Sequence, residues 1–219
     1  MKFVEEHPES HFVHPYDQPS TWNGHATIVH EIAEQLNTQT PAAVVTCVGG
    51  GGLAIGLSIF AFCFCLAHAH FLLGVLLGME QVGWNPHVPL ITMETEGSNC
   101  FYAALEAGKI VTLDGINSIA KSLGALSVSE KLFELAHTSE HTVKSYTVTD
   151  EEALLSCLEF SKLHRMLVEP ACGAALAAIF AKPNIFDGIK NDEPIVVIVC
   201  GGNMASLELF EEWKQDLLQ

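Results

Sequence analysis

Basic residues are scarce in this sequence. Lysine and arginine together number 10, against 26 aspartates and glutamates in a chain of 219 residues. The formal net charge is -16, and no basic cluster offsets it, so the chain repels nucleic acid and anionic membrane surfaces. We therefore expect no nucleic-acid partner.

Paired cysteines and metal-binding motifs are also missing. The 7 cysteines are an odd number, lie mostly within apolar stretches and form no C-x-x-C pair, so neither a disulfide framework nor a zinc knuckle is indicated. The segment HEIAE at residues 30–34 is not the H-E-x-x-H motif. Residues 1–19 are polar and acidic and show no secretory signal pattern. We expect a protein of the reducing cytosol without a histidine-based metal site.

Apolar residues make up 49% of the chain, enough for one substantial core, so we expect one domain over residues 1–219. Apolar runs of strand length alternate with helical patterns, and two helix ends are marked by a Thr149-x-x-Glu152 capping box and by Gly108 as a C-cap. We expect strands at 44–48, 89–95, 142–149 and, as a central strand, 194–200, and helices at 20–36, from 53 onward, 101–108, 150–164, 170–181 and 205–218. This order predicts an α/β fold with an open, mostly parallel sheet and helices on both faces.

Ligands of such folds bind beyond the carboxyl ends of the strands, which here follow at residues 49–52, 94–99 and 200–203. The first of these segments holds the four consecutive glycines Gly49, Gly50, Gly51 and Gly52, between a β-branched run and a helical pattern. Bare backbone N–H groups at a helix start bind phosphate, although glycines also serve tight packing alone. The run lacks the Lys-Ser/Thr ending of a P-loop, and its spacing does not match G-x-G-x-x-G, so a nucleotide is not indicated.

Six segments together resemble the L-serine dehydratases (serine ammonia-lyases) and the related threonine dehydratases. These segments are PYDQPSTWNGHATIVHEI, VGGGGLAIG, METEGSN, AKSLGA, VEPACGAALAA and VIVCGGN. The resemblance covers nearly the whole chain. It implies a pyridoxal-phosphate enzyme of fold type II, the tryptophan-synthase β fold, which eliminates water from serine or threonine and releases ammonia. It also implies a small amino-acid substrate and a homodimer.

By the same resemblance the four glycines hold the cofactor phosphate, and Cys200 faces the pyridine nitrogen as a neutral partner. Tyr16 corresponds to an aromatic residue beside the substrate pocket. A monovalent-cation site, with potassium as the candidate ion, maps to Glu94, Ser98 and Leu123. Taken without the resemblance, Cys200 would be interpreted as an ordinary buried strand cysteine, and Tyr16 as a core residue at a strand end.

The sequence also departs from the family pattern. The family's Schiff-base lysine, in a Ser-x-Lys-x-Arg segment, and its Ser-x-Gly-Asn loop for the substrate carboxylate have no counterpart here, and most of the small domain is absent. Lys121 matches a different family segment. No residue of this chain is therefore assigned as the catalytic lysine, and we expect the chain to be inactive alone. A non-catalytic relative that acts through partner binding is the alternative.

Residues 57–74, LSIFAFCFCLAHAHFLLG, are extra relative to the family pattern. Joining Gly56 directly to Val75 restores the expected helix, so we interpret the segment as an insertion, from a translated intron or an alternative transcript. With its neighbours up to Leu77 it is long enough to be a transmembrane candidate. Its flanks carry no lysine or arginine to orient it, so a membrane location is not expected. Deleting it is expected to raise soluble yield and thermal stability.

Overall fold

The computed structural model describes residues 7, 9–10, 19–37, 39–49, 68–137, 141–189 and 192–218, with only the helical backbone described at 19–21 and 68–70. Helices and strands alternate along the described chain. The helices are α1 (Pro19–Gln35), α2 (His68–Gln81), α3 (Cys100–Ala107), α4 (Glu130–His137), α5 (Asp150–His164), α6 (Pro170–Phe180) and α7 (Leu207–Leu217). The strands are β1 (Ala43–Cys47), β2 (Leu90–Thr95), β3 (Val143–Val148) and β4 (Ile195–Val197), and two 3₁₀ turns span Lys121–Leu123 and Pro183–Phe186.

The four strands form one parallel sheet in the order β3-β2-β1-β4. Val44 of β1 pairs with Leu90 on one side and with Val196 on the other. Every residue of β1 and β2 is buried, because parallel strands are covered on both faces. The expectation of an open parallel sheet is confirmed.

Helices cover both faces of this sheet, as predicted. The face that carries Val44, Val48 and Leu90 packs against α1, α2, α3 and α4 through large side chains. The opposite face, with Val45 and Ile91, packs mainly against the alanines of α6. We refer to these below as the large-residue face and the alanine face.

The two helix ends predicted from local sequence are present. The Thr149 hydroxyl accepts a hydrogen bond from the Glu152 N–H at 3.1 Å, and the Glu152 carboxylate accepts one from the Thr149 N–H at 2.9 Å. This is the predicted capping box at the start of α5. Gly108 ends α3 with a φ of 63°, a left-handed conformation that glycine adopts without steric cost.

The last strand differs from its prediction. The apolar run of residues 194–200 was expected to form a central strand, but β4 is an edge strand that pairs with β1 alone in the described part of the chain. Ile195 is 36% exposed. A continuous apolar run indicates a strand covered on both faces, but it carries no information about how many neighbours that strand has.

Part of the predicted insertion belongs to the core. Residues 68–74 form the first half of α2, in one helix with residues 75–81. Leu72 and Leu73 are buried on the large-residue face. Residues 57–67 lie outside the described residues. Within the described residues, no helix combines the length and the apolar character needed to cross a bilayer.

Candidate active site

The carboxyl ends of the strands meet at one edge of the sheet. Gly49 follows β1, the segment Glu96–Asn99 follows β2, Asp150 follows β3, and Cys200 follows β4. A cavity of about 520 Å³ opens beside the end of β4. Its described lining consists of His25, Ile28, Phe71, Glu169 and residues 198–203. Cys200 and Glu169 were expected to lie near each other at this edge, and the shared cavity confirms that placement.

Gly49 lies where a side chain does not fit. A Cβ atom added there would be 3.0 Å from the Leu123 carbonyl oxygen and 3.1 Å from the Leu123 Cα. Both contacts are to backbone, which cannot move aside as a flexible side chain would. The end of β1 thus lies directly against the 3₁₀ turn. Gly50, Gly51, Gly52 and Tyr16 lie outside the described residues.

Three thiols meet at the end of β4. The Cys200 thiol contacts those of Cys172 on α6 and Cys47 at the end of β1. The hydrogen bond with Cys172 lowers the pKa of Cys200, but the contact with Cys47 and burial of the sulfur together outweigh it and raise that pKa above its ordinary range. Cys200 is exposed as a whole residue and lines the cavity. Its sulfur is a neutral thiol at physiological pH.

Glu94 is fully buried at the end of β2. Its two carboxyl oxygens accept hydrogen bonds from the N–H groups of Phe101, at 3.1 Å, and Tyr102, at 2.6 Å. Burial raises the pKa of Glu94 to about 8, although both N–H groups act to lower it. Asn99, the N-cap of α3, makes no side-chain capping bond, so Glu94 supplies the acceptors that the first turn of this helix needs.

Ser98 follows Glu94 in the turn after β2 and is completely buried. Its hydroxyl has no hydrogen-bond partner within the described structure. Leu123, the third residue assigned to the cation site, lies on the neighbouring 3₁₀ turn. No group of three or more His, Cys, Asp or Glu side chains suited to a metal ion occurs among the residues described. A site built from one carboxylate and main-chain oxygens is of a different kind.

Sequence reasoning missed several residues of this region. Asp150 accepts hydrogen bonds from the Ser118 hydroxyl at 2.6 Å and from the Ile119 N–H at 2.9 Å, which fixes the segment leading to the 3₁₀ turn. Cys47 and Cys172 were assigned no role at the site. Asp150 carried a local signal as the residue after the Thr149 cap, whereas the thiol contacts depend on pairing between distant segments.

The positions of the lysines bear on catalysis. The described lining of the 520 Å³ cavity contains no lysine. Lys121 lines a second cavity of about 390 Å³, which also includes Asp150, Trp213 and Glu169. Glu169 therefore borders both cavities.

Comparisons with known proteins agree on one family. The family model described as "Pyridoxal-phosphate dependent enzyme" matches residues 1–201. A serine dehydratase-like protein of Rattus norvegicus is 42% identical over 212 residues, which are 94% of this chain and 57% of that protein. The L-serine dehydratase/L-threonine deaminase of Bos taurus is 39% identical, over 94% of this chain and 58% of that protein. The chain thus spans somewhat more than half the length of these relatives.

Solved structures give the same result. A fungal L-serine ammonia-lyase from Rhizomucor miehei superposes with a TM-score of 0.77 at 35% identity, covering 91% of this chain and 57% of that one. A bacterial-type threonine deaminase, from T.th., superposes with a TM-score of 0.74 at 22% identity, covering 94% of this chain and 61% of that one, which shows the shared fold alone. The resemblance stated from the sequence and the assignment to fold type II are both confirmed.

Proposed function

Because this chain belongs to the family of pyridoxal-phosphate dependent enzymes, we propose that it carries the cofactor-binding part of an L-serine or L-threonine dehydratase. The observation that supports this most is the cavity beside β4, where the turn bearing Cys200 faces Glu169 across a volume of about 520 Å³. The sequence-based expectation of a cytosolic location is part of the same proposal.

The residues present fit this cofactor. The end of β1 comes so close to Leu123 that a Cβ at Gly49 would meet backbone at 3.0 Å, as expected where main chain rather than side chains forms a phosphate site. The N–H groups of Gly49, Gly50, Gly51 and Gly52 would hold the phosphate. The neutral thiol of Cys200 would face the ring nitrogen without donating a full proton to it.

When bound, pyridoxal phosphate supplies the electron-withdrawing ring that lets serine lose its Cα proton and then its hydroxyl group. The chain's own contribution is to bind and orient. Ile28 and Phe71 form an apolar wall of the cavity, which would limit water beside the ring. Tyr16 would lie next to the substrate. The base that removes the Cα proton is not assigned to any residue of this chain.

The test is a calorimetric titration of the purified chain with pyridoxal phosphate. Saturable binding is expected, and Cys200→Ala should weaken it about fivefold, the effect of losing one hydrogen bond. Cys100→Ala, which removes a buried thiol from α3 on the large-residue face, is the matched control. Absence of saturable binding, or equal weakening by the two variants, would contradict the proposal.

We also propose that the chain alone does not turn over serine. With saturating pyridoxal phosphate, pyruvate formation should equal that of the cofactor without protein, because the lysine of the family's Ser-x-Lys-x-Arg segment has no counterpart here. The lactate dehydrogenase-coupled assay measures this directly. Pyruvate above that background would show that another lysine of the chain does this work.

A monovalent cation, with potassium as the first candidate, is proposed between Glu94, Ser98 and the Leu123 carbonyl. The support is the buried Ser98 hydroxyl, which has no hydrogen-bond partner within the described structure. Thermal unfolding should show a higher Tm in potassium chloride than in tetramethylammonium chloride of equal ionic strength, and Ser98→Ala should reduce the difference. Equal Tm values in the two salts would exclude the site.

One observation favours a second function, the binding of a partner chain. The outer edge of β4 has no paired strand in the described structure, and such an edge accepts a strand from another polypeptide. A homodimer, expected from the resemblance, could form there. Light scattering of the wild type and of Ile195→Lys would test this, because loss of a dimer only in the variant places the interface at β4, and a monomeric wild type rules out self-association.

A further inference from the structure

The thiol of Cys172 grips the turn that follows β4. Its sulfur donates a hydrogen bond to the Gly201 carbonyl at 3.2 Å and accepts one from the Gly201 N–H at 3.4 Å. These two groups belong to consecutive peptide units on either side of the Gly201 Cα. A single side chain therefore fixes both peptide planes next to Cys200.

The same turn is held from α6 and from the segment before it. The Gly201 carbonyl also accepts a hydrogen bond from the Glu169 N–H at 3.2 Å. A Cβ at Gly202 would overlap the Leu167 carbonyl oxygen, so this turn lies against the chain leading into α6. Cys172 itself is fully buried. The turn has little room to move while the Cys172 thiol is in place.

We propose that Cys172 is a positioning residue, which holds the Cys200–Gly201 backbone so that the Cys200 thiol faces the cavity where the cofactor ring would bind. The cofactor part of this inference rests on the proposed function, whereas the grip on the turn does not. Replacing Cys172 by alanine leaves the Gly201 N–H without its acceptor and removes one of two donors to the Gly201 carbonyl. A buried N–H without an acceptor is unfavourable, so the turn should open.

The matched control is Cys157. It is equally buried, lies on α5 and donates through its sulfur to the Glu169 carbonyl at 3.4 Å. It therefore contacts the same N-terminal region of α6 without touching the Gly201 peptide groups. Cys172→Ser is the conservative variant, because a hydroxyl keeps one donor and one acceptor at the same position.

Amide hydrogen exchange at Gly201, measured by NMR, tests the grip without any cofactor. Cys172→Ala should accelerate Gly201 exchange about fivefold, the effect of one lost hydrogen bond, while Cys157→Ala and Cys172→Ser should stay near the wild-type rate. An unprotected Gly201 amide in the wild type, or equal acceleration by Cys157→Ala, overturns the inference. The wild-type measurement holds even where Cys172→Ala does not fold.

Calorimetric titration with pyridoxal phosphate tests the link to the cofactor. Cys172→Ala should weaken binding about fivefold and Cys172→Ser should restore it. Weakened binding without changed Gly201 exchange overturns the positioning role. If Gly201 exchange responds as expected but the wild type binds no pyridoxal phosphate, the proposed function fails and the grip on the turn stands.

Discussion

The two faces of the sheet are packed by different means. On the large-residue face, α2 contributes Leu72, Leu73, Leu76 and Met79 to a core of bulky side chains. On the alanine face, α6 contributes almost only alanines. Small side chains let α6 lie close to the strands, and this brings its first turn, with Cys172, against the carboxyl edge of the sheet. The large-residue face stabilises the domain, while the alanine face supports the candidate site.

The largest effect is expected from removing volume on the large-residue face. Leu76→Ala should lower the free energy of unfolding by about 3 kcal/mol, because it removes a buried side chain and leaves a cavity. Urea denaturation measures this. Leu155→Ala on α5 is the control, since Leu155 is 45% exposed and should shift the midpoint little. Equal losses in the two variants would contradict the packing described for α2.

Adding volume should be the damaging change on the alanine face. A Cβ at Gly173 of α6 would overlap the Ala153 carbonyl oxygen, so Gly173→Ala should destabilise by about 2 kcal/mol through overpacking. At Gly24 of α1 a Cβ meets nothing within 4 Å, and Gly24→Ala should instead stabilise slightly, as in most exposed helix positions. If both variants gained stability in the same urea experiment, α5 and α6 would not pack as closely as described.

The deletion of residues 57–74 probes how α2 joins the large-residue face. A Cβ at Gly74 would overlap the His25 Cβ, so α1 requires a glycine there, and the deletion puts Gly56 in that place. Soluble yield should rise because Phe60, Phe62 and Phe64 are removed. Ala54 would replace the buried Leu72, so the gain in thermal stability should be smaller than the sequence alone indicates.

Its control is the same deletion combined with Gly56→Leu, which restores the clash with α1 and should reduce both yield and Tm. Yield and circular dichroism melting curves compare the two deletions with the parent chain. A deletion variant that is insoluble while its parent is soluble would show that residues 57–74 are an integral part of the domain.

The smallest effect concerns the α5 cap next to the alanine face. Burial raises the pKa of Glu152, but the hydrogen bond and charge of Lys182 and the N–H of Thr149 outweigh it and lower that pKa below its ordinary value. The carboxylate therefore contributes stability that is present above the unfolded-state pKa and is lost as the pH falls through the lower folded-state value. Because the pair is partly exposed, we expect less than about 1 kcal/mol.

Urea midpoints of the wild type and Glu152→Gln, measured from neutral to acidic pH, test this prediction. The two curves should differ at neutral pH and converge in acid. Lys182→Met should give an intermediate curve because it keeps the capping box. A difference between wild type and Glu152→Gln that persists unchanged in acid would contradict the role of the ionised carboxylate.

The sequence predicted those features whose cause is local. The Thr149 capping box and the Gly108 C-cap each depend on residues within one turn, and apolar runs placed the strands within a few residues of their bounds. The position of β4 at an edge was not predictable, since neighbours in a sheet are chosen by segments far apart in the chain. The grip of Cys172 on Gly201 has the same origin. The roles of Gly50, Gly51, Gly52 and Tyr16 stay predictions.

The pairing of β1 with β4 has a consequence for synthesis. Residue 44 pairs with residue 90 and residue 196, so one side of β1 can pair while the chain is still growing and the other side cannot. Until residue 197 has left the ribosome, β1 exposes a full row of peptide groups, and exposed strands in nascent chains are prone to non-native association. Translation that stops before this point would release a product with a sticky half-finished sheet, and chaperone demand should fall sharply once β4 emerges.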